Sequence, residues 1–210
     1  MAKQERKPKE SKLKILAAGD IHGKNSVAEH LAEKAEKNKV DLVVLTGDLH
    51  GSEETEKGII APFEKRGQKV IFVPGNWDSK VEMDLLKRFY QAKNIDGYYV
   101  NYKGTDIVGI GSGDFELQLD NKKAWGKLKK NFDRIKTKSG KRVLISHLHA
   151  AGTKAEFSGI RGENVLRKAI KEFQPDVFIS SHIHEAEGIE ERIGKTKVFQ
   201  VGIRGKIIEI

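Results

Sequence analysis

Five apolar, strand-like runs in this chain each end in a residue type that binds metals. No other feature constrains the fold as strongly. LKILAAGDIH ends in Asp20 and His22, LVVLTGD in Asp48, VIFVPGN in Asn76, VLISH in His147, and VFISSHIH in His182 and His184. The run at 41–46 (DLVVLT) is apolar almost throughout, as expected of a strand buried on both faces. In α/β sheets, binding sites form in the crevice beyond the carboxyl ends of the strands. Residues that end five such strands can therefore meet at one place although they lie far apart in sequence.

The segments between these runs fit the same scheme. Residues 26–37 have helical spacing, with Val27, Leu31 and Ala35 on one face and charges elsewhere. Ser79 with Glu82 three residues later forms a capping-box pattern that opens a helix through Phe89. The spacing predicts further helices over 122–136 and 163–172, and a short one ending at Lys65 after a loop at 51–57. Strands are expected at 12–18, 41–46, 69–73, 98–102, 106–110, 142–146 and 176–180. Three more follow in the tail, at 189–193, 196–201 and 206–210, joined by glycine-containing turns. Strand–helix alternation followed by consecutive strands indicates an α/β fold with a mixed sheet. A chain of 210 residues has room for two packed sheets flanked by helices in one domain over 13–210. Residues 1–12 (MAKQERKPKESK) are polar, with five basic residues against two acidic, and read as a disordered N-terminal arm.

Composition narrows the chemistry. There are no cysteines, which excludes disulfides, thiolate zinc sites and cysteine nucleophiles. That absence suits a reducing compartment, so a cytoplasmic location is expected. No run approaches the ~20 apolar residues of a membrane span, and no secretory signal is visible. The formal charge of +9 favours anionic partners such as phosphate esters or nucleic acid, although lysines and glutamates are mixed along most of the chain.

The ligand types point to divalent cations. Carboxylate and amide oxygens together with imidazole nitrogens suit manganese, iron, cobalt, nickel or zinc. Seven ligands exceed the four of a tetrahedral zinc site and suit two metals sharing a carboxylate. Asp48 is the natural bridge, being the lone carboxylate of its segment. The pairs Asp20/His22 and His182/His184 have i, i+2 spacing. In extended chain such residues point to the same side with Cα atoms about 6.6 Å apart. Two-metal sites space their ions about 3.5–4 Å apart, so each pair can give one side chain to each metal. Gly19, Gly47 and Gly75 each precede a ligand, as needed where a strand turns abruptly into a site.

The motifs G-D-I-H-G at 19–23, G-D at 47–48, G-N-W-D at 75–78, S-H at 146–147 and S-H-I-H at 181–184 occur in this order. With them the chain resembles the calcineurin-like metallophosphoesterases, and looks closest to the small archaeal and bacterial phosphodiesterase branch. The resemblance implies a four-layer αββα sandwich of two mixed β-sheets between helices. It implies one metal on Asp20, His22, Asp48 and His184 and a second on Asp48, Asn76, His147 and His182, with manganese the first choice. The implied activity is hydrolysis of a phosphate ester, in particular a diester, by hydroxide between the metals, with Asp48 and Asn76 central to it. Asn76, Trp77 and His149 are the candidate substrate-binding residues.

One departure from the family bears on activity. Many members carry His after the Gly-Asn of the third motif, proposed to protonate the leaving group. Here the position is Trp77, and indole cannot act as that acid. Good leaving groups are therefore expected to be cleaved far better than poor ones, since general acid catalysis contributes about 10²–10⁴-fold. Trp77 can instead form a stacking wall for a base or aryl group, or simply pack at the start of a helix. His50 and His149, each within two residues of a candidate ligand, could supply the missing acid or be ordinary loop residues. Ser181 stands where relatives often have glycine before the last His-x-His. The segment GIGSGD at 109–114 reads as a strand-end turn, since no Lys-Ser/Thr follows to make it a phosphate loop. The basic stretch 122–136, with Trp125 and Phe132, could touch nucleic acid or be a solvated helix with two aromatics turned inward. Two rivals to the phosphodiesterase reading follow: a weak or inactive scaffold of the same fold that binds protein, favoured by Trp77, and a nuclease, favoured by the charge.

Overall fold

The computed structural model describes residues 12–51, 58–135 and 140–210. Residues 1–11 of the arm expected at 1–12 and most of the loop expected at 51–57 lie outside the described residues, as does the end of the helix expected over 122–136. In chain order the elements are β1 (Lys14–Ala18), α1 (Asn25–Lys37), β2 (Leu42–Leu45), α2 (Ala61–Glu64), β3 (Val70–Phe72), α3 (Lys80–Phe89) and β4 (Lys93–Asn94). Then come β5 (Tyr99–Tyr102), β6 (Thr105–Ile110), α4 (Asn121–Arg134), β7 (Arg142–Ser146), α5 (Asn164–Phe173) and β8 (Val177–Ser180). The tail forms β9 (Glu190–Ile193), β10 (Thr196–Gln200) and β11 (Lys206–Glu209). Short 3₁₀ turns occupy Lys154–Ser158 and His184–Ala186.

Two mixed sheets result, in the orders β11-β1-β2-β3-β4 and β5-β6-β7-β8-β10-β9. In the first, β1 to β4 run parallel and β11 antiparallel to β1. In the second, β6, β7, β8 and β10 run parallel, with β5 and β9 as antiparallel edges. The period-2 alternation of strand side chains explains the layering. Ile15, Leu42, Val44 and Ile71 of the first sheet face Ile107, Val143, Ile145 and Ile179 of the second and form the core between them. The alternate residues Leu16, Val43, Leu45 and Phe72 turn outward onto α1, α2 and α3. Val108, Leu144, Phe178 and Val198 pack likewise onto α4 and α5. Central strands are thus buried on both faces, which is why their sequences read as unbroken apolar runs.

Caps and acidic pins fix the element ends. The Ser79 hydroxyl accepts from the Glu82 N–H at 3.2 Å, and Glu82 accepts in return from the Ser79 N–H at 2.9 Å. Asp120 caps α4 by accepting from the Lys122 and Lys123 N–H groups. In each sheet an aspartate just ahead of one strand accepts the first N–H of its neighbour. Asp41 accepts from Lys14 and Asp176 from Arg142, both at 2.9 Å. The aromatics of α4 are used in packing: Trp125 and Phe132 both stack on Phe173 of α5. No helix among the described residues is long and apolar enough to cross a membrane.

Candidate metal centre

The ligand loops follow β1, β2 and β3 of one sheet and β7 and β8 of the other, so the site spans the carboxyl ends of both sheets. All seven side chains named from the sequence come together there. His22 Nε2 lies 3.3 Å from His184 Nε2 and 3.7 Å from Asp48 Oδ2. His147 Nε2 lies 2.9 Å from Asn76 Oδ1, 3.2 Å from His182 Nδ1 and 3.4 Å from Asp48 Oδ2. Asp20 Oδ1 is 3.9 Å from His147 Nδ1. Two compact triads can be drawn within this set: Asp20, His22 and His184, and Asp48, His147 and His182.

The backbone that carries them is unusual. Asp20, His22, Asp48 and His182 all have positive φ, between 48° and 74°. Left-handed backbone at non-glycine residues is sparsely populated and persists only where the surroundings hold it. Gly47 is also left-handed, at φ 94°, and a Cβ added there would sit 2.4 Å from the Gly75 nitrogen. At Gly75 a Cβ would meet Asp48 Oδ1 at 2.2 Å. The Asp48 and Asn76 loops therefore touch backbone to backbone, an approach only glycine permits.

Each carboxylate has one oxygen committed and one free. Asp48 Oδ1 accepts from the Trp77 N–H at 2.9 Å, which leaves Oδ2 facing His22 and His147. Asp20 Oδ1 accepts from the His182 N–H at 3.2 Å, and its buried Oδ2 has no hydrogen-bond partner. His147 is tautomerically fixed in the same sense. Its Nδ1–H donates to the Thr46 carbonyl at 2.9 Å, so Nε2 presents a lone pair to the oxygens of Asn76 and Asp48. Lone pairs aimed at one another across about 3 Å repel unless a cation lies among them, and this donor set suits divalent first-row metals.

The electrostatics of the bare protein agree. Burial raises the Asp48 carboxyl to about 6. It drives Asp20 well above the usual carboxylate range, with the Asp48 charge adding to the rise. Burial lowers the His147 imidazole to about 4, and burial with the neighbouring His147 lowers His182 to about 4. Neutral imidazoles are the ligand form, and bringing positive charge among the acids offsets the cost of their burial.

Other residues are placed as follows. Trp77 is 45% exposed, and its ring lies 6.1 Å from that of His22. His149 is 1% exposed: its ring stacks beside His182 at 6.4 Å, and its Nε2 pairs with the Ile160 carbonyl. His50 leans on Asp78, with Nδ1 3.3 Å from Oδ1. Asp78 is the residue that sequence reasoning passed over. Buried at 1% exposure, it accepts from the N–H groups of Leu49, His50 and Gly75 and so ties the Asp48 loop to the Asn76 loop. The signal was present as the last letter of G-N-W-D.

Ser181 also has a role that its sequence position did not announce. Its hydroxyl donates to the Thr46 carbonyl and accepts from the Thr46 hydroxyl, each at 3.0 Å, which joins the two sheets beneath the site. Ser181→Ala is expected to cost about 1 kcal/mol, the net value of a typical buried hydrogen bond, read as a lower denaturant midpoint with an unchanged slope.

A family model described as calcineurin-like phosphoesterase matches residues 13–186. No curated protein matches the chain significantly. Among solved structures, TT1561 of Thermus thermophilus superposes with a TM-score of 0.73 at 14% identity, over 95% of this chain and 99% of that one. GAP50, the anchor in the inner membrane complex of Plasmodium, gives 0.60 at 16% identity, over 91% and 71%. A dimetal phosphatase from Danio rerio gives 0.59 at 11% identity, over 92% and 88%. At these identities the likeness establishes the fold: two mixed sheets flanked by helices.

Proposed function

This chain belongs to the calcineurin-like phosphoesterase family, whose chemistry is metal-dependent hydrolysis of phosphoric esters, and from that premise we propose that it is a dinuclear phosphodiesterase. The observation that carries the proposal is the convergence of the seven side chains with their free oxygens and ring nitrogens turned inward. One cation would be held by Asp20, His22, Asp48 and His184, and the other by Asp48, Asn76, His147 and His182, with Asp48 shared. Bound there, divalent ions would supply Lewis acidity, lowering the pKa of coordinated water towards about 7 and neutralising charge on phosphoryl oxygens.

The protein's own residues would do the rest. The two pinned carboxylates hold their free oxygens in place without reorganisation. With Oδ1 of Asn76 turned towards His147, its side-chain NH₂ is the donor left to orient a phosphoryl oxygen. Exposed His184 and Trp77 mark the accessible side of the site, which leaves room for substituents on both sides of phosphorus and favours a diester. Residues 13–210 would act as one catalytic domain, with manganese the first metal to test and a phosphate-ester small molecule or nucleotide as substrate.

The test is hydrolysis of bis(p-nitrophenyl) phosphate. Turnover is expected with manganese and is expected to vanish in excess chelator, recovering when the metal is restored. Trp77, in the place of a proton donor, favours a second reading: a protein-binding scaffold. The fold alone does not decide, since GAP50 with the same architecture is an anchor. Metal binding without turnover on any ester would favour the scaffold.

A further inference from the structure

The loop after β6 does something the metal centre does not require. Asp114 and Phe115 are consecutive left-handed residues, at φ 49° and 63°. For a bulky side chain this is a genuine departure from allowed backbone, and it needs something to hold it. The restraint comes from the metal-site loop. The Phe115 N–H donates to the Asn76 carbonyl at 2.9 Å, and the Asp114 N–H donates to the Asp78 carbonyl at 3.1 Å. Asp114 in turn accepts from the Lys80 N–H at 3.0 Å, and its carboxylate pairs with the Lys80 ammonium at 2.7 Å.

The strain does not serve the core. Phe115 remains 68% exposed, so little of the ~1.5–3 kcal/mol available from burying an aromatic side chain is realised. What the loop achieves is a position. The Phe115 ring stands edge-to-face with Trp77 at 6.1 Å and 73°, and Trp77 stands edge-to-face with His22 at 6.1 Å and 82°. An aromatic wall therefore runs outward from a candidate metal ligand to an exposed ring, fixed in register with Asn76 through the backbone.

Resting on the phosphodiesterase reading, we infer that Trp77 and Phe115 form a substrate subsite for a planar aromatic ring on the arm of the ester that stays on phosphorus, an aryl group or a nucleobase. Offset and edge-to-face geometries at such centroid distances are the favoured aromatic arrangements. Stacking of a base on an aromatic side chain tolerates variation in the ring, so this subsite selects for aromatic esters as a class.

Two readouts test it. The first is calorimetric binding, with manganese present, of phenylphosphonate and methylphosphonate, whose carbon–phosphorus bonds the enzyme cannot hydrolyse. The wild-type protein is expected to prefer phenylphosphonate about tenfold. Phe115→Ala is expected to erase most of that preference and Phe115→Tyr to restore it. Equal affinity for the two phosphonates in the wild type, or a preference that survives Phe115→Ala, would overturn the subsite. The second readout is the ratio of kcat/KM for bis(p-nitrophenyl) phosphate over ethyl p-nitrophenyl phosphate, which share a leaving group. Phe115→Ala is expected to lower this ratio about tenfold, whereas an equal loss on both esters would show a merely structural role and sink the proposal. If neither ester is turned over, the hydrolase reading fails, and the phosphonate pair still decides the subsite.

Discussion

Asp48→Asn is expected to lower turnover of bis(p-nitrophenyl) phosphate by about three orders of magnitude, the scale of several kcal/mol of charge stabilisation that a Lewis-acidic cation supplies. The same variant should leave the metal-free protein at least as stable as the wild type. The reason lies in how Asp48 is held. Its Oδ1 accepts from the Trp77 N–H, and an asparagine oxygen can do the same. Its Oδ2 faces the ring nitrogens of His147 at 3.4 Å and His22 at 3.7 Å. An amide NH₂ there would donate to the Nε2 lone pair of His147, which the carboxylate oxygen repels. Burial already lifts the Asp48 carboxyl to about 6, so removing its charge also removes a desolvation cost.

The substitution therefore separates stability from function. Thermal melting in chelator should show an equal or higher midpoint, and calorimetric titration with manganese should show weaker binding at both sites if Asp48 is shared between them. Near-wild-type turnover would remove Asp48 from the centre of the chemistry. Activity lost together with a collapsed melting transition would point instead to a structural role.

The fold was largely legible because its central strands are buried on both faces. Residues 42–45, 70–72, 143–145 and 177–179 are apolar without alternation, and such runs between helical segments admit few architectures. The capping box at Ser79 was legible because its two hydrogen bonds are local. What could not be read were non-local partnerships. The tail reads as three strands in succession, yet β11 leaves its neighbours to pair with β1, with Ile208 opposite Ile15, in the other sheet. Nothing local to 206–210 encodes that choice. The two-residue strand β4 has no alternation to detect and exists only through its pairing with β3.

The same division runs through the site. The candidate ligands were recoverable from residue type and position at strand ends. Phe115 was not, because its place beside Trp77 depends on two backbone hydrogen bonds to a loop nearly forty residues earlier. Ser181 drew notice only as a departure from glycine, although its hydroxyl bridges the sheets. Asp78 likewise closes the motif G-N-W-D, and nothing local to it encodes its three backbone partners, two of them in the Asp48 loop.

Asp78→Ala is expected to be the most destabilising single substitution near the site, costing about 3–5 kcal/mol, because three backbone donors lose the one acceptor they share. Asp78 Oδ1 accepts from the Leu49 N–H at 2.9 Å and the His50 N–H at 3.0 Å, and Oδ2 accepts from the Gly75 N–H at 2.8 Å. Truncation leaves these backbone donors without their acceptor, at about 1–3 kcal/mol for each one left unsatisfied. Against a total stability of about 5–15 kcal/mol for a domain, that is a large fraction. Function should fall as well, by about 10–100-fold at temperatures where the variant stays folded, since residues that orient metal ligands carry effects of that size. Leu49 and His50 directly follow Asp48, and Gly75 directly precedes Asn76, so the lost contacts are those that hold one ligand loop against the other. Asp78→Asn should fall between alanine and the wild type, because its amide oxygen can still serve one loop while its NH₂ opposes the N–H of the other. Urea unfolding, with turnover measured well below the melting midpoint, checks both effects. If Asp78→Ala shifts stability by less than about 1 kcal/mol, the carboxylate is not the clamp between the loops, and their registration must come from the Gly47–Gly75 backbone contact instead.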